Sequence, residues 1–261
     1  MDRSLVSRLL SQADATAELP RLGGMARADG IVIASEHYWA FAGRDGAVRE
    51  GGMPTPSRVV RRVPLVRGLV RLFAALAPLF RGAGVAGRGE RLLLLTALLA
   101  PLSLIFLPQS ASLPLGVGTG LVLLVWMLRG RTLFLHGAEH RAISAAEERR
   151  LTATWRGEVK PSRFAPRCGT NFAALVVPVS IVADRLWPLP AALYTPFAVT
   201  LVSLALTMEL WQLVQTSRNR VARVFLLPGL ALQRVTTREP TDEETRLALT
   251  AVASVLQREL A

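Results

Sequence analysis

Arg129-Gly130-Arg131 opens a basic segment that carries His136-Gly137-Ala138-Glu139-His140 and ends on Pro166-Arg167-Cys168-Gly169-Thr170. Apolar runs flank it on both sides, so the segment reads as a loop that the rest of the chain holds against a membrane. The five-residue string has the form H-x-x-E-H, and residues three and four apart share one face of a helix. On a helix, His136, Glu139 and His140 therefore point the same way. Two imidazoles one turn apart can hold one zinc ion while the carboxylate between them acts as a base. The chain has 3 histidines, and two of them fall here, His37 being the third. The spacing is equally compatible with two polar anchors at a membrane-water boundary, hydrogen-bonded to Glu139 and to loop carbonyls.

Composition sets the surroundings. Hydrophobic residues make up 51% of 261, and a mean hydropathy of +0.36 with clustered apolar residues predicts an integral membrane protein. The formal charge of +12 then belongs to segments that stay cytoplasmic beside anionic headgroups. A pI near 11.5 is accordingly not read as a nucleic-acid surface. One cysteine rules out an intrachain disulfide, and Cys168 falls on the side assigned to the reducing cytoplasm. Residues 1–20 contain Asp14 and Glu18 and no continuous apolar region, so no cleavable signal peptide is expected.

Taken in order, residues 1–22 form a tail or weak amphipathic helix. Residues 23–57 form a small β-rich cytoplasmic subdomain, from the runs Ile31-Val32-Ile33-Ala34 and Tyr38-Trp39-Ala40-Phe41-Ala42 and the turn Asp45-Gly46. Residues 58–90 hold an interfacial helix studded with Arg61, Arg62, Arg67 and Arg71, its basic side on headgroups, or else a short buried helix. Residues 91–214 are the membrane core, with spans expected at 92–107, 113–128, 172–187 and 191–214 around the cytoplasmic loop 129–171. Residues 215–261 form a cytoplasmic segment and helix, started by the capping box Thr241-Asp242-Glu243-Glu244 and docked on the membrane core. The expected fold class is therefore mainly α: a polytopic membrane protein with four transmembrane helices, a small β-rich N-terminal piece and a C-terminal helix. Arginines crowd the segments before the first span and between the second and third, which puts both termini and the His136 loop inside a bacterial inner membrane.

Two ionisable groups touch the spans. Glu209 lies within the fourth, where a carboxylate is costly unless paired or protonated. It is either a site residue or the partner of a neighbouring arginine. Asp184, next to Arg185, reads as an interfacial charge.

Several strings together resemble the YqhQ-like bacterial membrane proteins, a family of unknown function. They are Gly23-Gly24 with Asp29-Gly30 and Trp39-Ala40; Arg61-Arg62-Val63-Pro64-Leu65-Val66-Arg67-Gly68; His136 to His140; Pro166-Arg167-Cys168-Gly169-Thr170; and Pro228-Gly229-Leu230 with Thr236-Thr237-Arg238-Glu239-Pro240. The resemblance implies metal dependence. It also shows departures: Met25 and Asp29 stand where the family carries Gln and Glu, and Ala165 stands where a further histidine precedes the Pro-Arg-Cys-Gly-Thr string. A three-histidine site is thus one ligand short. The expected function is a metal-dependent, hydrolase-like membrane enzyme: zinc or another divalent ion on His136 and His140, Glu139 as general base, and Cys168 or Glu209 completing the shell. Cys168 could equally be a small buried apolar residue before the third span. The competing expectation is a non-enzymatic membrane scaffold or biogenesis factor. Its partners would be the bilayer, headgroups at the arginine-rich segments and another membrane protein.

Overall fold

Ile31-Val32-Ile33 and Trp39-Ala40-Phe41 alternate apolar residues between two buried faces, and they form the inner strands of a four-stranded antiparallel meander. The computed structural model describes residues 1–81, 85–104, 110–111, 114–115, 118–119, 121–122, 125, 129–190, 192, 194–217, 219 and 224–261. The strands are β1 Gly23–Ala26, β2 Gly30–Ala34, β3 Tyr38–Gly43 and β4 Val48–Gly52, in that spatial order. The turn between β3 and β4 needs Gly46 at φ 82°, and the Asp45 side chain accepts from Ala47 N–H. The helices among the described residues are α1 Arg3–Ala15, α2 Arg58–Arg62, α3 Val66–Ala75, α4 Ala77–Arg81, α5 Arg88–Leu104, α6 Thr132–Glu147, α7 Leu151–Arg156, α8 Gly169–Arg185, α9 Thr195–Thr216, α10 Leu227–Thr236 and α11 Asp242–Glu259.

One sheet face carries Ile31, Ile33, Ala40 and Ala42 and is covered by α11, α6, α1 and α7. Ala248, Leu249, Val252, Val255 and Leu256 of α11 are fully buried there, with Leu10 of α1, Leu135 of α6 and Leu151 of α7. Each such leucine contributes roughly 1.5–3 kcal/mol of burial. The other face, with Val32, Trp39 and Phe41, packs on Leu79, Val85 and Ala86. The sheet therefore shares one core with helices from both ends of the chain. This corrects the placement of the last helix: its apolar stripe lies on the sheet instead of on a membrane core, because Ile31 and Ile33 present it a matching flat apolar surface.

The four-span architecture is also corrected. Among the described residues, one helix is long and apolar enough to cross a membrane, over residues Thr195–Gln215 of α9. α8 has 17 residues, contains Pro178, and ends on Asp184-Arg185; at ~1.5 Å per residue it reaches ~26 Å, short of the ~30 Å hydrocarbon core. α5 opens on Arg88, Glu90 and Arg91, and residues 105–109 beyond it lie outside the described residues. The span expected at 113–128 and the connection at 108–112 lie largely outside the described residues. A multi-pass membrane topology, and the inside placement of both termini that depended on it, are not supported.

The arginine-rich segment is not one continuous helix. Pro64 follows α2, Leu65 adopts φ 67°, and α3 restarts beyond it. α3 packs across α9, where Gly68 brings the backbones close: a Cβ there would lie 3.0 Å from the Ala205 carbonyl and 3.1 Å from Met208 Cβ.

Candidate metal centre

α6 presents His136, Glu139 and His140, and its first turns are held by the strand-like segment that follows α10. Arg238 N–H donates to the Leu133 carbonyl at 2.9 Å. Gly137 lies so close to the Arg238 carbonyl that no Cβ would fit. This contact fixes His136, whose Nδ1–H donates to the Thr236 carbonyl at 2.8 Å. His140 Nδ1–H donates to the Arg163 carbonyl at 2.7 Å. A carbonyl can only accept, so both imidazoles carry their proton on Nδ1 and their lone pair on Nε2.

The Nε2 of His136 is 3.2 Å from Cys168 Sγ, and the two rings meet edge to face with centroids 4.4 Å apart. The Nε2 of His140 is buried and has no hydrogen-bond partner. One ligand atom from each of His136, His140 and Cys168 lies within 4.8 Å of the other two. A tetrahedral zinc centre with bonds of ~2.0–2.3 Å needs ligand atoms ~3.3–3.6 Å apart, so small side-chain adjustments would close this set on one ion. Backbone carbonyls on Nδ1 are the usual outer partners of metal-binding histidines.

Cys168 is the N-cap of α8, and its sulfur accepts from Thr170 N–H at 3.4 Å and from the Thr170 hydroxyl at 3.2 Å. The loop before it is sutured on both sides. Gln233 of α10 accepts from Ala165 N–H and donates to the Ala165 carbonyl, each at 2.9 Å. Asn171 donates to the Ala165 and Pro166 carbonyls. Arg163 reaches the Thr237 carbonyl at 2.7 Å, and buried Arg141 donates to the Pro161 carbonyl and pairs with Glu239 at 2.6 Å. The third ligand thus sits on a loop with little freedom to swing away.

Burial governs the protonation states. It lowers His136, and it lowers His140 to about 3 with the neighbouring His136 adding to the effect. It raises Cys168 to about 11, with Glu139 as the next cause, against the Thr170 hydrogen bonds. It raises Glu139 to about 8, opposed by the Ala26 N–H. Without a cation the cluster is therefore uncharged near neutral pH, with two nitrogen lone pairs and a thiol turned to one point.

Of the five expected site residues, the fold brings three together. Glu139 stands outside the ligand cluster and lies against β1 at Gly24. A Cβ on Gly24 would lie 2.7–2.9 Å from its Cγ, Oε1 and Cδ. Glu209 is not brought to the histidines at all. Both its oxygens are taken by Arg67, at 2.8 Å and 2.5 Å, the arginine pairing that the sequence left open for it. Sequence reasoning gave no role to Thr236, Arg163, Gln233 or Gly24. The first two act through backbone carbonyls, which carry no residue-type signal, while Gly24 and Thr236 lay inside conspicuous strings without a stated partner.

A family profile described as protein of unknown function (DUF1385) matches residues 121–258, just over half of the 261. The chain belongs to this family. It is also similar to the uncharacterized protein YqhQ of Bacillus subtilis (strain 168), 31% identical over 136 residues, a match covering 49% of this chain and 42% of the relative. This chain thus aligns with less than half the length of that relative. No solved structure matches. The family match contains His136, His140 and Cys168 with the carbonyls that orient them, and it leaves out the sheet that holds Glu139.

Proposed function

We propose that this protein is a metal-dependent enzyme of the hydrolase kind, with His136, His140 and Cys168 as ligands of one divalent ion. Zinc suits two imidazoles and a thiolate best. The observation that carries this reading is the Nε2 of His140, a residue 1% exposed: the atom is buried, has no hydrogen-bond partner, and lies beside the other two ligand atoms. An orphaned buried acceptor costs about 1–3 kcal/mol, a cost that a bound cation removes. Three protein ligands leave one position open, the pattern of catalytic rather than structural zinc. The ion would supply Lewis acidity, polarising a substrate carbonyl or phosphoryl group and acidifying water. Glu139 is the acid-base group of this reading. Its carboxyl, kept protonated up to about pH 8 by burial, takes or gives the proton that the reaction moves.

The same reading places the centre at a bacterial inner membrane, on its cytoplasmic side. Support comes from the apolar α9, from exposed Val177 (63%) on α8 and Leu213 (68%) on α9, and from exposed Arg58, Arg61 and Arg62 of α2, which suit anionic headgroups. Those exposed apolar side chains also favour the second reading, a membrane scaffold without chemistry.

Cobalt separates the two. The full chain, purified in detergent under reducing conditions and stripped with EDTA, is titrated with Co²⁺. One equivalent should bind, with visible bands of tetrahedral cobalt and near-ultraviolet thiolate-to-cobalt absorption. Cys168→Ala should lose the near-ultraviolet absorption, and His140→Ala should weaken binding by about 10-fold or more. Failure of the unmodified chain to take up Co²⁺ would remove the metal reading and leave the scaffold.

A further inference from the structure

We infer that Thr170 is a positioning residue of the metal centre: its hydroxyl and backbone N–H hold the Cys168 sulfur and tune the thiolate that binds the ion, a role that rests on the metal-enzyme reading above. The proton count at the sulfur assigns the parts. His136 gives its Nδ1 proton to the Thr236 carbonyl, so its Nε2, 3.2 Å from Cys168 Sγ, can only accept. The Cys168 S–H therefore donates to His136. The sulfur lone pairs are left to Thr170, whose hydroxyl lies at 3.2 Å and whose N–H lies at 3.4 Å. When a cation takes the place of the thiol proton, both Thr170 donors face an anionic sulfur. Hydrogen bonds to ionised groups are roughly twice as strong as those between neutral groups.

Helix capping alone does not account for this arrangement. Cys168 is the N-cap of α8, a position that Ser, Thr, Asp and Asn serve best, and a thiol sulfur is only a weak acceptor. What sulfur adds there is a metal bond, which needs the thiolate. The start of a 17-residue helix favours negative charge, so the ligand that must ionise stands where the helix and two donors all support its anion. Thr170 is itself held in place. The next residue, fully buried Asn171, donates to the Ala165 and Pro166 carbonyls, and a β-branched threonine has few rotamers to lose. A thiolate that gives part of its charge to two donors gives less to the ion, and more positive charge remains to polarise a substrate. The spacing of Cys168 and Thr170 within the Pro166-Arg167-Cys168-Gly169-Thr170 string thus acquires a chemical purpose.

The test uses the full chain in detergent, stripped with EDTA and loaded with Co²⁺, with the thiolate-to-cobalt band as the readout. Thr170→Val keeps the shape of the side chain and removes its hydroxyl. Without that donor the sulfur lone pairs rise in energy, so the band should move to longer wavelength. Co²⁺ affinity, measured by competition with a chelator, should fall about 10-fold. Thr170→Ser restores a hydroxyl and should return the band to its original position. Thr170→Ala is a second hydroxyl-free variant if Thr170→Val does not fold, and the same movement is expected of it. A purely structural role would lower the unfolding midpoint and leave the band where it was. An unmoved band in the hydroxyl-free variants, or a Thr170→Ser band that moves with theirs, overturns the role of Thr170 while the metal reading stands. Failure of the unmodified chain to take up Co²⁺ overturns both.

Discussion

His136 and His140 each give Nδ1 to a backbone carbonyl, and that constraint makes the pair chemically informative. The H-x-x-E-H spacing was legible in the sequence because helical period is fixed by backbone geometry. The residue that Glu139 meets across the fold was not. At about 100° per residue, Glu139 and His140 project about 100° apart on either side of His136, so the carboxyl flanks the ligand atoms without joining them. Glu139 instead meets Gly24. Gly24→Ala should therefore destabilise the protein by about 1–3 kcal/mol, because its Cβ would crowd the carboxyl. A double-mutant cycle with Glu139→Ala, read by chemical unfolding, should give a coupling of about 0.5 kcal/mol or more. Additive losses would mean that the two residues do not press on each other. Glu139 also sets a pH dependence. Its folded value of about 8 lies above the ordinary 4.5, so the folded state binds more protons across that window. Stability of EDTA-treated protein should be highest on the acid side and fall as pH rises toward about 8, then level off. Glu139→Gln should flatten this slope in thermal unfolding at about pH 5 and about pH 9.

Local chemistry fixed several elements. Thr241 caps α11, with its hydroxyl accepting from Glu244 N–H while the Glu244 carboxylate accepts from Thr241 N–H at 2.9 Å. This box was readable because it needs only neighbours in the chain. Thr241→Ala should lower stability by about 1 kcal/mol, seen as a lower unfolding midpoint. The far end of α11 is tied down by partners no local pattern announces. Glu259 accepts from the Ser35 hydroxyl and from His37 N–H at 3.2 Å, at the turn between β2 and β3. Burial pushes the Glu259 carboxyl up, yet these bonds prevail and hold it below its ordinary value. The stability it contributes is present above about pH 4.5 and is lost as pH falls through its depressed value. Glu259→Ala should lose about 1–2 kcal/mol near neutral pH and less in acid, a difference that unfolding at the two pH values would detect.

At the scale of the whole molecule, Glu209 belongs to the packing of α3 on α9. Arg67 grips both carboxylate oxygens, and the Arg71 side chain donates to Gln212. Glu209→Gln should leave the Co²⁺ stoichiometry unchanged while lowering the unfolding midpoint, and Arg67→Lys should lower it as well because a lysine has no two-pronged donor. Loss of Co²⁺ binding in Glu209→Gln would return that carboxylate to the centre. By itself the sequence determined the elements that depend on short-range rules: strands from two-residue alternation, α11 from its cap and stripe, and the shared direction of two histidines from helical period. Its 51% hydrophobic content suggested a membrane core, but hydropathy counts apolar residues without saying what covers them. Only the tertiary structure decided that α11 covers the sheet, that among the described residues one helix is long and apolar enough to cross a membrane, and that Cys168 rather than Glu209 joins the histidines. Those outcomes depend on contacts between residues far apart in the chain, here Cys168 with His136 and Glu209 with Arg67, and no local pattern encodes which distant partner a side chain meets.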